Sequence, residues 1–275
     1  MIGAIIGDIA GSIYEFKNIK TKDFPLFSPG CMFTDDSLMT IAVGSALMKT
    51  SARDQSLAPV IIGEMRRIGR AYPHPMGSYG GGFAAWLQSP TPEPYNSWGN
   101  GSAMRVSACG EAAESLEEAL SLAKISAEVT HNHPEGIKGA QAVAAAIFLL
   151  RHGMGRDELR AYIEQHFYPL RRTLDQIRPT YAFDGSCQGT VPQAFQAFLE
   201  STSFEDALRG AVSLGGDTDT LTAIACSIAW AYYARRGPDE IMLALSTLAL
   251  EMLPADLRAI VSGWESRVSL SPKAL

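Results

Sequence analysis

The four cysteines, Cys31, Cys109, Cys187 and Cys226, never come close together in the sequence. A zinc ribbon needs close pairs and a secreted disulfide scaffold needs a higher density, so the thiols read as buried and reduced in a cytoplasmic protein. Positive charge is also scarce: 23 Lys and Arg against 29 Asp and Glu leave a net charge of −6. A surface of that sign is ill suited to neutralising phosphates, which argues against nucleic acid as a partner except as a modified substrate. No segment sustains the roughly 18 uncharged apolar residues of a membrane span. The richest candidate, 221–233, is too short. The apolar start Met1-Ile2-Gly3-Ala4-Ile5-Ile6 lacks the leading positive charge of a secretory signal, and Asp8 interrupts it. The expectation is a soluble, cytoplasmic protein.

Alternating strand patterns are almost absent too. With 47% hydrophobic and 19% charged residues, the chain has ample material for a core. Its apolar residues recur at three- and four-residue intervals, as in Leu38, Ile41, Ala42, Ser45 and Ala46, which predicts helices. The pattern places them at 37–49, 60–71, 103–114, 116–128, 135–151, 193–200, 204–214, 221–235 and 238–252. Ser115 and Ser203 stand where N-caps belong, each followed by acidic residues in the first turn. Several segments are apolar nearly all round, as central helices shielded by outer ones would be. An all-α fold follows. Two stretches, 72–101 and 170–192, break the pattern and read as ordered loops within one domain spanning 1–275. In the first helix, Gly3, Gly7 and Gly11 share one face, which predicts close approach to a neighbouring backbone.

Thr34-Asp35-Asp36-Ser37 opens one predicted helix and Gly215-Gly216-Asp217-Thr218-Asp219-Thr220 opens another. Each has a plain reading as a helix cap complementing the dipole. Each also has a chemical one, because adjacent carboxylates repel and a bound cation relieves that repulsion. In an extended segment, Asp217 and Asp219 would point the same way. Hydroxyls and carboxylates without His or Cys suit a hard ion such as Mg²⁺, Mn²⁺ or Ca²⁺, and four carboxylates suggest two ions rather than one. Asp8 lies on the glycine-lined face, where a buried acid needs partners, and Glu15 is either a further carboxylate or a solvated helix end. Gly99-Asn100-Gly101-Ser102-Ala103-Met104-Arg105 is a glycine-rich helix start, suited either to a phosphate or to a plain turn. It lacks the Lys-Ser/Thr ending of a nucleoside triphosphatase loop. His131 and His133 are either caps or binding residues.

In this order, Gly7-Asp8-Ile9-Ala10-Gly11 with Glu15-Phe16, Thr34-Asp35-Asp36-Ser37, the 99–105 loop, Thr130-His131 and the 215–220 segment resemble the ADP-ribosylglycohydrolase family. That family includes the dinitrogenase reductase-activating glycohydrolases and the eukaryotic ADP-ribosyl-acceptor hydrolases. The resemblance implies a single-domain, orthogonal all-α bundle whose cleft holds two divalent cations, Mg²⁺ or Mn²⁺. It makes Thr34, Asp35, Asp36, Asp217, Asp219 and Thr220 the metal ligands. It further implies catalytic roles for Glu15, Asp35 and Asp36, with Glu15 as an acid or at the metal centre. Gly99, Asn100, Gly101, Ser102, Ala103 and Met104 would hold the diphosphate, Trp98 the adenine, and His131 would lie beside the ligand. The chain departs from the family at Cys226 and Trp230, where small residues are usual.

The implied reaction is hydrolysis at the anomeric carbon of the acceptor-side ribose. The substrate would be an ADP-ribosylated protein, through arginine or serine, or a small ADP-ribosyl conjugate, and the enzyme a monomer. Two alternatives remain at this stage: a phosphoanhydride hydrolase of ADP-ribose-like metabolites, and a non-catalytic ADP-ribose binder or structural relative.

Overall fold

A computed structural model describes residues 1–269, so the last positions of the expected 1–275 domain lie outside the described residues. The helices are, in order, α1 (Ile2–Gly11), α2 (Asp35–Lys49), α3 (Ala58–Ala71), α4 (Gly81–Gln88), α5 (Gly101–Met104), α6 (Ser107–Ala112), α7 (Leu116–Glu128) and α8 (Pro134–Arg151). There follow α9 (Arg156–His166), α10 (Leu174–Ile177), α11 (Cys187–Leu199), α12 (Phe204–Val212), α13 (Thr218–Tyr233), α14 (Glu240–Met252) and α15 (Ala255–Ser269). Among the described residues there is no strand, only isolated bridges between Thr34 and Met76 and between Gly99 and Ser186. No described helix is long and apolar enough to cross a membrane.

The all-round apolar segments are central, as their patterning requires. Helix α13 is buried continuously from Thr218 to Ala229 and packs against α1, α8, α11 and α12. The second buried helix, α8, is flanked by α6 and α7. Caps set the helix starts: Ser115 accepts from Glu118 N and Ser203 from Asp206 N.

The glycine stripe of α1 does what its spacing predicts. A Cβ on Gly3 would lie 2.6 Å from Cys226 O, on Gly7 2.3 Å from Thr222 O, and on Gly11 2.6 Å from Thr218 O. Both helices advance by four residues per contact, so the two backbones run antiparallel in register along the whole of α1. Gly3 also makes room for the unusual Trp230, whose Cβ would be 2.4 Å away and whose ring meets Phe204 edge-on at 5.5 Å. A methyl group at Gly7 would strike a backbone carbonyl, which cannot rotate away as a side chain could. Gly7→Ala is therefore expected to destabilise the protein by about 3 kcal/mol, the upper end of overpacking costs. Gly63→Ala, on an exposed helix face with nothing within 4 Å, should instead stabilise by roughly 0.5–1 kcal/mol. Urea unfolding of both variants checks the contrast.

The expected 103–114 helix is broken into α5 and α6. Arg105 and Val106 sit between them with ψ near 0°, because the Arg105 side chain turns into the core and hydrogen-bonds there. The irregular stretches are shorter than expected. The first contains α4, and the second contains α10 and the start of α11, which carries Pro192 inside it.

Candidate metal centre and ligand cleft

Helix α2 starts at a junction built by Asp8. Thr34 is the cap, its hydroxyl accepting from Asp36 N at 3.2 Å, and Asp35 and Asp36 occupy the first turn. Asp8, fully buried on α1, accepts from Thr34 N (2.9 Å), Thr34 Oγ1 (2.7 Å), Ser37 N (3.1 Å) and Ser37 Oγ. One carboxylate thereby ties α1 to the start of α2. Thr34 realises the plain cap reading and leaves the side chains of Asp35 and Asp36 out of the cap hydrogen bond.

Helix α13 starts at a sharper turn. Gly215 and Gly216 have φ of +69° and +77°, the left-handed region that glycine enters without strain. Asn18 clamps the turn, accepting from Gly216 N at 2.7 Å and donating to Gly216 O at 3.1 Å and to Glu15 O at 2.9 Å. The same asparagine thus fixes the backbone of Glu15 and that of the 215–220 segment. The helix begins at Thr218, so Asp219 and Thr220 lie in its first turn rather than in an extended segment. Asp217 and Asp219 come together through the cap geometry, not through strand-like alternation. Asp217 makes no cap hydrogen bond and instead accepts from Asn100 Nδ2 at 2.7 Å.

The two helix starts meet because α1 binds both. Ligand atoms of Asp8, Asp36 and Asp219 lie within 4.8 Å of one another, and so do those of Glu15, Asp217 and Asp219. Asp219 belongs to both groups. Thr220 Oγ1 donates to Asp36 Oδ2 at 3.2 Å, linking α13 to α2 directly. Asp35 lines the same cleft but is outside both groups, whereas Asp8, not expected as a ligand, belongs to one. Since Asp8 already accepts four hydrogen bonds, it is better placed to orient Thr34 than to leave its oxygens for an ion.

Burial and mutual repulsion push these acids upward: Glu15 to about 7, Asp35 to about 8, and Asp36 and Asp219 well above the ordinary carboxylate range. For each, desolvation comes first and neighbouring carboxylates second. Among the described residues no Lys or Arg forms an ion pair with any of them. Asp36 Oδ1 and Glu15 Oε2 are buried with no hydrogen-bond partner. Buried anionic oxygens without partners are costly, and an oxygen-only donor set fits a hard divalent cation. These residues could hold metal ions.

They form one end of a cleft of about 420 Å³, within the usual range for a small-molecule site. Glu15, Asp35, Asp36, Asp217, Asp219 and Thr220 all line it, and Gly99, Asn100, Gly101, Met104 and His131 face it as well. The glycine-rich loop is fastened from behind: Asn100 N donates to Gly185 O at 2.8 Å and Cys187 N to Trp98 O at 2.9 Å. The Asn100 side-chain amide is committed to Asp217 and Thr190, and its backbone N–H to Gly185 O, so Asn100 shapes the loop rather than offering a free donor. Thr34, Ser102 and Ala103 are wholly buried and do not line the cleft, and Ser102 Oγ donates to Gly136 O at 2.7 Å. Trp98 is 53% exposed, also outside the lining, with its ring edge-on to His133 at 5.6 Å. His133 is a helix cap, accepting from Glu135 N, whereas His131 belongs to the cleft. The sequence reading did not single out Tyr79, Tyr95 or Phe183 as cleft residues, nor Asn18 as the clamp. Their stretches are irregular, and nothing in their local pattern points inward.

An all-α protein with two acid-headed helices facing a glycine-rich loop defines the class. The ADP-ribosylglycohydrolase family model matches residues 1–262, and the chain belongs to that family. It is 26% identical to human ADP-ribosylhydrolase ARH3, over 88% of this chain and 85% of that one. It is 25% identical to the ADP-ribosyl-[dinitrogen reductase] glycohydrolase of Rhodospirillum rubrum, over 87% of this chain and 85% of that one. A solved chain of an ADP-ribosylglycohydrolase-related protein complex superposes with a TM-score of 0.67 at 23% identity. It covers 94% of this chain and 95% of its own length, and shares the fold. Family membership makes the protein a hydrolase that removes ADP-ribose.

Proposed function

We propose that the protein cleaves the glycosidic bond between ADP-ribose and an acceptor side chain, arginine or serine, on a modified protein. One observation carries this reading: two carboxylate groups sharing Asp219 face the Gly99–Met104 loop across a single cleft. The acidic end suits a ribose with its cations, and the loop suits a diphosphate. Thr34, Asp35, Asp36, Asp217, Asp219 and Thr220 would hold two divalent cations, Mg²⁺ or Mn²⁺. Such cations supply Lewis acidity beside the ribose and lower the pKa of a nearby water.

The chain's own groups account for the remaining work. Glu15, raised to about 7, is partly protonated at neutral pH and can give a proton to the departing acceptor. Bound cations would hold Asp35 and Asp36 as carboxylates, and in that form either can take a proton from the attacking water. The amide of Gly101, which lines the cleft at the start of α5, has no intrahelical acceptor and is available to a phosphoryl oxygen. Holding both ends of ADP-ribose fixes the anomeric carbon between Glu15 and the acids, and this orientation contributes to the rate.

The test is a panel of arginine-linked and serine-linked ADP-ribosyl peptides incubated with Mg²⁺ or Mn²⁺, with products read by mass spectrometry. Intact ADP-ribose and unmodified peptide are expected from at least one linkage, and no product from Asp35→Ala. Release of AMP would point to the phosphoanhydride instead. Binding of ADP-ribose without turnover of any member would leave a binder.

A further inference from the structure

We propose that Arg105 and Thr130 form a relay that fixes the tautomer of His131, so that its Nε2–H is presented to the ligand held at the Gly99–Met104 loop. The ligand half of this proposal rests on the reading of that loop as the diphosphate end; the relay itself does not.

Each polar hydrogen in this closed site needs an acceptor. Arg105 is 1% exposed, and a guanidinium has donors only. Its Nη2 donates to Ser126 O and to Thr130 Oγ1, each at 2.8 Å. The Thr130 hydroxyl, itself fully buried, must therefore send its own proton elsewhere. Its remaining partner is His131 Nδ1 at 2.7 Å. If Nδ1 also carried a proton, Thr130 Oγ1 would receive two donors and its own proton would have no acceptor. Buried polar hydrogens rarely go unpaired. Nδ1 is thus the acceptor, and the proton of the neutral ring resides on Nε2.

That nitrogen faces the loop. A Cβ on Gly101 would come 3.2 Å from Nε2 and one on Gly99 3.4 Å, so the glycines leave the N–H open to the cleft. Gly136 lets the backbone approach His131 closely, since a Cβ there would meet His131 Cβ at 3.0 Å, and the Tyr95 ring lies 5.8 Å from the imidazole. Burial and the Arg105 charge hold the imidazole pKa down at about 2, so the ring stays neutral throughout the physiological range. Arg105 and Thr130 are positioning residues: neither needs to touch substrate, and together they make His131 a fixed neutral donor. A sequence reading alone sees Arg105 only as the last residue of the loop motif.

The experiment combines nitrogen-15 spectra of histidine-labelled full-length protein, without ligand, and calorimetric titration with ADP-ribose in the presence of Mg²⁺. In the wild type, His131 should show a protonated Nε2 and a hydrogen-bonded, unprotonated Nδ1. Thr130→Val preserves shape but removes the hydroxyl. It should shift the Nδ1 resonance toward that of a free imine nitrogen and weaken ADP-ribose binding by about tenfold, equivalent to about 1.4 kcal/mol. Thr130→Ser should restore both. A wild-type proton on Nδ1, or a Thr130→Val protein with unchanged Nδ1 signal and affinity, overturns the relay. The wild-type spectrum decides the tautomer even where Thr130→Val does not fold. Failure of the wild type to bind ADP-ribose overturns the ligand reading, while the spectrum still judges the relay.

Discussion

Asp219→Asn is expected to abolish hydrolysis and at the same time stabilise the metal-free protein. Asp219 is the one carboxylate common to both groups of converging ligand atoms, so its loss weakens both candidate ion positions together. Removing a member of a catalytic unit typically costs roughly 10³-fold or more in turnover. Stability should move the other way. The ordinary structural role of Asp219 is small: its Oδ1 accepts only from the adjacent Thr220 N at 2.9 Å, a bond that the asparagine carbonyl can keep. What disappears is an acid that folding must either bury as a charge beside Asp36, Asp217 and Glu15 or protonate against the bulk pH, and each course costs stability. In metal-free protein at pH 8, the variant should therefore melt several degrees higher than wild type, with unchanged circular dichroism. Each kcal/mol corresponds to about 2–4 °C for a chain of this size. A destabilised variant would show that Asp219 holds the fold and not a cation. Stability traded for a charged site is a common pattern in enzymes.

The same residues explain how far the sequence could be read. Helix periodicity and the glycine stripe are local patterns, and both translate into the observed packing of α1 on α13. The acid-headed helix starts are local too, and they converge as expected because α1 touches one through Gly11 and the other through Asp8. The Asp8–Thr34 contact joins residues far apart in the chain, and no spacing rule announces it. Asn18, Tyr79, Tyr95 and Phe183 belong to irregular backbone, where side-chain direction depends on tertiary context. Asn100 is the instructive case. Its place in a glycine-rich loop suggests a phosphate ligand, yet its side chain is committed to Asp217. The break at Arg105 was illegible for a similar reason: arginine is a good helix former, and only the buried acceptors at Ser126 and Thr130 draw it inward.

Chelation should make the protein lose stability as pH rises, and divalent cation should reverse that trend. Glu15, Asp35, Asp36 and Asp219 have pKa values raised by folding, so over the interval between unfolded and folded values the native state binds more protons than the unfolded chain. By linkage, stability then falls with increasing pH. Their favourable contribution is fully present below about pH 4, the ordinary carboxylate value, and is lost as pH rises through about 7 for Glu15 and about 8 for Asp35. In EDTA the melting temperature should therefore drop between pH 5 and pH 8, by roughly 5 °C or more. Cations bind the deprotonated acids, so Mn²⁺ or Mg²⁺ should stabilise most strongly at pH 8 and least at pH 5, where protons compete. The thermal shift produced by saturating cation is the measurement, taken across that range. Asp219→Asn supplies the internal comparison: with one repelling charge gone and both ion positions weakened, its metal-free pH dependence should be shallower and its cation-induced shift nearly absent. A cation shift equal in wild type and variant would place the ions elsewhere on the molecule, and a flat profile in EDTA would mean that the acids are not repelling one another.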